Sequence, residues 1–313
     1  MKIAILDAVN QDIGLKILFP DADYYINNNE LDKSKSLSKF NILVNRNLEN
    51  ITSDRYDYLF IIIALYDAKI GTKFFKPNIK NILDKVLSIV DNNSFKKVCI
   101  FDNYDYDYDP NTIVNNPRID CFFKRNYNKT KKYKENVVPF PYIMFGEVSI
   151  IEKLLDSRET NIDSKSRIIF TGTLFNHEDH EIGYYRNRYN VYSEIRDFIY
   201  NPGNIDYRRY LDEIYNSKFA LDLNGVGDPN KRTFEILSQG SLLISEYNDL
   251  KWPFEEKFSE YTQFSSKKDF VEKITKLLNN NELYIECLKQ QNAIYNKYFN
   301  LKYIKEYILE NIK

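Results

Sequence analysis

Apolar residues along this chain recur in two alternating rhythms. Short, nearly uninterrupted apolar runs fall at residues 2–6, 40–44, 58–63, 97–101 and 120–123. Runs of that length, bounded by polar residues, fit strands buried on both faces. Residues 77–90 instead carry Ile79, Ile82, Leu83, Val86, Leu87 and Val90 on one helical stripe. Strands alternating with helices predict a parallel sheet. Residues 137–142 (VVPFPY) hold two prolines and predict extended chain, the start of a linker. A second series follows: a short helix at 150–155, a strand at 167–171, helices at 189–198 and 207–216, and strands at 219–223 and 241–245. Helices at 267–278, 282–299 and 301–312 complete it. No internal repeat or low-complexity tract interrupts the pattern. The expected architecture is α/β, with two Rossmann-like domains facing across a cleft. Residues 1–145 form the first and 146–298 the second. Residues 299–313 form a last helix that packs back on the first domain.

The densest chemical signal is residues 216–246, NSKFALDLNGVGDPNKRTFEILSQGSLLISE. A strand leads into a loop with two glycines and a proline, then a helix over 230–239 that Asn230 is suited to cap. Gly240 suits the left-handed position after the helix, and a buried strand follows. In open α/β sheets ligands bind at the carboxyl ends of the strands, where this loop would lie. A helix N-terminus favours phosphate through its N–H groups and partial positive charge. Arg232 adds a fork that pairs two phosphate oxygens. Glu235, three residues on, shares its helix face and can accept hydrogen bonds from two sugar hydroxyls. The same spacing equally fits an Arg–Glu pair on an exposed helix face.

This stretch resembles the signature of GT-B-type glycosyltransferases of the exostosin-like and group-1-like families. The matching residues are Ser217-Lys218-Phe219-Ala220-Leu221, then Arg232-Thr233-Phe234-Glu235-Ile236-Leu237-Ser238-Gln239-Gly240. Downstream, residues 250–256, 261–264 and 268–274 resemble the families' closing segment. The resemblance implies a nucleotide-sugar donor, with Arg232 on the diphosphate and Glu235 on the ribose. Asn224, Gly225, Gly227 and Thr233, in the same loop and helix start, are further candidates for contact with the donor. Many group-1 enzymes carry a glutamate where this chain has Asn224, so no sugar-orienting carboxylate is carried over. Gly172 and Thr173, in IFTGTLF, resemble a phosphate-approaching loop, where a missing side chain lets backbone N–H groups come close. An ordinary βα turn is the alternative. The implied reaction is metal-independent transfer of a sugar to a hydroxyl acceptor, a glycan or glycoconjugate, with no essential cofactor.

Other residues add candidates. Arg186 and Arg188, just before the expected 189–198 helix, can supplement a phosphate clamp or simply be solvated. Residues 102–109 (DNYDYDYD) hold overlapping Asp-x-Asp triplets. Asp102 or Asp105 can serve as a general base there, or Asp105 and Asp107 can hold a cation in a rival, metal-dependent GT-A-like enzyme. A third reading is a nonenzymatic nucleotide- or carbohydrate-binding module. His177 and His180 read as a surface loop rather than a metal site. Lys124 and Arg125 can bind an anionic acceptor or a donor phosphate, but read better as the start of a basic loop continuing through 129–134.

Composition narrows the classes. The chain has 313 residues, enough for two domains, and its 43% hydrophobic and 28% charged residues indicate a folded protein. Its net charge of −1 argues against a general nucleic-acid binder. No apolar stretch approaches the ~20 residues of a membrane span, and no signal peptide is read at the start. Three scattered cysteines without a CxxC pair suit a reducing cytoplasm. The 26 tyrosines are not read as a binding surface.

Overall fold

The computed structural model describes residues 1–8, 14–26, 43–45, 47–63, 79–102, 110–140, 167–172, 174, 183–225 and 231–313. Asp105, Asp107, Thr173, Gly227, Asn230, His177, His180 and the expected 150–155 helix lie outside these residues. So do residues 40–42 of the expected 40–44 strand and the side chain of Arg186.

The chain divides into two compact units. The first comprises Met1–Gly146, Leu250–Pro253 and Lys305–Lys313; the second comprises Glu147–Asp249 and Phe254–Ile304.

In chain order the first unit contains β1 (Ile3–Asp7), α1 (Gly14–Leu18), β2 (Asp23–Ile26), β3 (Val44–Asn45), β4 (Tyr58–Ile63), α2 (Ile79–Asp91), β5 (Lys97–Asp102), α3 (Asn111–Val114), β6 (Cys121–Lys124) and β7 (Val137–Pro139). The strands form one sheet in the order β3-β2-β1-β4-β5-β6-β7, with every neighbouring pair parallel. This is the doubly wound order, in which the strand sequence reverses beside β1. The central strands are buried almost throughout, which explains their unbroken apolar runs. Residues 137–139 were expected to begin a linker, yet they form the edge strand β7. Proline is tolerated there because an edge strand needs no partner on its outer side.

Three of these strands end on a buried charge: Asp7, Asp102 and Lys124. Tyr24 donates to Asp7 at 2.6 Å, and Lys124 Nζ lies 3.4 Å from Asp102 Oδ2. Arg125 and Asn126 are buried as well. The reading of Lys124 and Arg125 as a solvated basic loop is therefore overturned. A buried carboxylate requires a cation, and Lys124 supplies it to Asp102. Residues 250–253 attach to this unit through an antiparallel bridge between Leu250 and Asn128 and a 2.8 Å bond from Lys251 N to Tyr127 O.

The second unit contains β8 (Ile168–Ile169), α4 (Gly183–Ile195), α5 (Tyr207–Tyr215), β9 (Phe219–Asp222), α6 (Lys231–Gln239), β10 (Leu242–Glu246), β11 (Gln263–Phe264), α7 (Lys267–Asn279) and α8 (Asn281–Tyr298). A last helix, α9 (Leu301–Asn311), runs across the boundary at Ile304 and Lys305. Its sheet has the order β11-β10-β9-β8, again with parallel neighbours. Alternate residues serve opposite faces, as strand geometry requires. Phe219, Leu221, Leu242 and Ile244 pack with Phe270, Ile274 and Leu277. Ala220 and Leu243 pack on the other face with Ile214, Ile236 and Leu237. Asp206, Ser266 and Asn280 cap α5, α7 and α8 by accepting backbone N–H bonds. Gly240 has φ of 69°, the left-handed stop expected after α6. Buried Gln291 of α8 accepts from Leu243 N and donates to Ser241 O, both at 2.8 Å, and so fixes the start of β10.

Cys99 and Cys121 face each other in register on β5 and β6. All three cysteines are buried and free. Burial pushes the Cys121 thiol up to about 12 and raises Cys99 and Cys287 too. Thiolate is the reactive form. A disulfide-exchange reagent at pH 8 should therefore find no fast thiol in native protein and all three in urea. Rapid labelling of Cys99 or Cys121 would contradict the packing of β5 and β6.

Candidate functional site

The second unit gathers its charged residues at the carboxyl ends of β8, β9 and β10. From β8 come Phe170, Thr171 and Gly172. From β9 come Asp222, Asn224 and Gly225, and β10 ends on Glu246. The N-terminal turn of α6 adds Lys231, Arg232, Thr233 and Glu235. This is the ligand-binding end of an open α/β sheet.

Arg232 lies against the backbone of the β8 turn. Its guanidinium carbon stacks over the Phe170 ring, 4.8 Å from the centroid, and Nη1 stands 3.6 Å from Asp222 Oδ1. A β-carbon at residue 172 would lie only 2.8 Å from that guanidinium carbon. Glycine at 172 is what allows the approach. Thr233 Oγ1 donates to Asp222 Oδ2 at 2.5 Å, which ties the start of α6 to the end of β9.

A second arginine repeats the arrangement. Arg188 is buried, and its Nε donates to Asn224 O at 3.2 Å. A β-carbon at residue 225 would lie 2.6 Å from the Arg188 guanidinium carbon. The Asn224 backbone N–H is held from the other side by Glu246 Oε2 at 3.0 Å. Burial raises the Glu246 carboxyl, opposed by the Asn224 bond, by Asn187 and by the Arg188 charge. Arg188 was expected to precede a helix beginning at 189. In the structure α4 begins at Gly183, so positions 186 and 188 both lie within it. The basic and tyrosine-rich stretch from 183 to 188 has no apolar period to reveal this extra turn and a half.

Glu235 is 4% exposed and accepts from the Tyr210 hydroxyl at Oε2, 2.7 Å away. Lys231 Nζ stands 3.4 Å from Oε1 and over the Tyr207 ring, 4.5 Å from its centroid. Arg232 and Glu235 were equally compatible with an exposed pair on a helix face, and burial overturns that alternative. Each carries its own local partner instead: Asp222 for Arg232, Tyr210 for Glu235. Tyr210 itself is half-buried. Burial first, then the Glu235 charge, raises its pKa well above the ordinary tyrosine value, so it remains a donor.

The sequence-derived candidates thus separate. Gly172, Arg188, Asn224, Gly225, Arg232, Thr233 and Glu235 come together in the second unit. Asp102 stands elsewhere, buried at the end of β5 against Lys124 in the first unit. Tyr210, Asp222, Glu246 and Phe170 were not singled out from sequence. Asp222 was findable in principle, as the only charge closing an apolar strand beside the glycine loop. Tyr210 was not, because twenty-five residues of chain separate it from Glu235. Among the described residues, no group of three or more His, Cys, Asp or Glu is placed to hold a metal ion. No described helix is long and apolar enough to cross a membrane.

Comparison with known proteins agrees with this geometry. Residues 163–310 match the family model described as "Glycosyl transferase-like". No curated protein matches the chain by sequence. Among solved structures, the fold is similar to Anabaena Alr3699/HepE in complex with UDP, with 11% identity over 99% of both chains and a TM-score of 0.57. It is similar to a glycosyltransferase from Rickettsia africae, with 12% identity over 99% of this chain and 97% of that one and a TM-score of 0.54. T4 phage β-glucosyltransferase aligns at 12% identity over 100% of both chains, with a TM-score of 0.50. These neighbours are GT-B glycosyltransferases, and the expected resemblance and α/β fold are borne out.

The two glycine seats make a direct prediction. In Gly172→Ala the new methyl meets the mobile end of a side chain, so the fold should keep its thermal midpoint. The guanidinium must leave its seat, and affinity for inorganic pyrophosphate should fall about tenfold, the scale of one charge-assisted hydrogen bond. Unchanged pyrophosphate affinity, measured by calorimetry, would show that the seat does not position an anion-binding group.

Proposed function

We propose that this chain, a glycosyltransferase by family match and GT-B fold, moves a sugar from a uridine diphosphate sugar to a hydroxyl acceptor without an essential metal or other cofactor. The observation that carries the proposal is the convergence of Arg232, the N-terminal turn of α6 and Glu235 in the unit that the family model covers. UDP in complex with the structural relative HepE supports uridine as the base.

Glycosyl transfer from such a donor builds negative charge on the departing diphosphate. Arg232 and the N–H groups at the α6 N-terminus are preorganised positive partners for that charge. Arg188, seated beside Asn224 and Gly225, adds a second cation on the same sheet end. These groups together supply the neutralisation that a divalent cation provides in metal-dependent transferases. Glu235 accepts the ribose hydroxyls, anchoring the nucleotide so that binding energy is used to orient the sugar. Arg232 is the catalytic residue of this account, because it touches the leaving group. Asp102, buried and ion-paired, is assigned to the architecture of the first unit and not to proton transfer. The acceptor is a glycan or another hydroxyl compound, and three buried free thiols are consistent with a reducing cytoplasm.

Calorimetry tests the proposal. UDP should bind with the same affinity in magnesium and in EDTA, and more tightly than GDP, ADP, CDP or dTDP. Arg232→Ala should weaken binding by roughly 10- to 100-fold, the loss of a charge-assisted pair, and Glu235→Ala by about tenfold. Binding that requires magnesium and ignores both substitutions would move the diphosphate to the Asp-x-Asp run at 102–109 and contradict the proposal.

A further inference from the structure

Resting on Glu235 as the ribose ligand, we propose that Tyr210 is a positioning residue that sets the selectivity of the site for ribose over deoxyribose. Its hydroxyl donates from α5 to Glu235 Oε2 on α6 at 2.7 Å. Its oxygen also interacts with the side chain of Thr171, the residue beside Gly172. The β8 turn, α5 and α6 are therefore joined through one phenol. Glu235 has χ freedom that the helix backbone does not remove. The bond from Tyr210 to one oxygen and the Lys231 ammonium near the other hold the carboxylate plane in a single orientation.

That orientation matters because a diol is a demanding ligand. A carboxylate presents about four lone-pair directions in its own plane. Two neighbouring hydroxyls can both donate only if the plane faces them edge-on. A carboxylate free to rotate would still attract a nucleotide weakly, yet it would not distinguish a ribose from a sugar lacking those hydroxyls. A site prebuilt for hydroxyl groups rejects the analogue because buried acceptors are then left facing nothing. Tyrosine suits the task better than a shorter hydroxyl residue. Its ring is rigid, packs against Tyr207 with centroids 5.9 Å apart, and carries the donor to a fixed point. Burial also keeps it protonated, so the donor direction does not change with pH.

Tyr210→Phe removes one oxygen and keeps the ring. Calorimetry with UDP and with 2′,3′-dideoxyuridine diphosphate separates the roles, with thermal melting as the check on folding. The wild type should prefer UDP by about tenfold or more, on the scale of one hydroxyl bonded to a charged group. The variant should lose most of that preference by weakening UDP alone, leaving the dideoxy analogue unchanged. Equal weakening of both nucleotides would make Tyr210 merely structural and overturn the inference, as would an unchanged preference. Equal binding of both nucleotides by the wild type would remove Glu235 as the ribose ligand, and the inference with it.

Discussion

Arg232 can lie where it does only because residue 172 has no side chain. A guanidinium is broad and flat, and it approaches a backbone closely only where a β-carbon is missing. The second unit uses this device twice, with Arg232 over Gly172 and Arg188 against Gly225. Both seats belong to turns at the carboxyl ends of neighbouring strands, so the sheet itself sets where positive charge is presented. Asp222 below Arg232 and Glu246 behind Asn224 then hold the seats in place. Buried Asp222 and half-buried Glu246, near the two arginines, keep the site close to neutral, which limits the cost of enclosing the cations.

The same sheet end sets the proposed donor site on rigid elements. β9 and β10 are parallel neighbours in register, with Ser245 opposite Asp222. The loop from Asn224 is anchored to Glu246 and to the Tyr247 carbonyl. On the other side, α6 is tied to β9 through Thr233 and to α5 through Tyr210. Each side chain that meets the proposed nucleotide is thus fixed by a second residue from a different element. Preorganisation of this kind is what electrostatic stabilisation of a leaving group requires, since groups that must reorient during reaction lose much of their benefit.

Much of this was legible in sequence, for a physical reason. Strands buried on both faces leave unbroken apolar runs, and the segment from Phe219 to Glu246 concentrates strand, glycine turn, helix and stop in consecutive residues. Linear spacing shows such local chemistry directly. It does not show partners that meet across elements. Tyr210 acts on a residue far along the chain, and in a sequence with 26 tyrosines nothing marks it out. Lys124 looked like solvated charge because its partner, Asp102, lies one strand away. β2 and α1 leave no signal because DYYI and GLKIL are too short to show a period. The start of α4 is hidden because glycine, tyrosine and arginine there carry no apolar stripe.

A crystal structure with UDP bound measures the central claim most directly. The account predicts phosphate oxygens within hydrogen-bond distance of the Arg232 guanidinium and the first N–H groups of α6. It predicts the ribose hydroxyls on Glu235, with the Tyr210 bond retained. A diphosphate bound away from α6, with Arg232 still resting on Asp222 and Phe170, would contradict it.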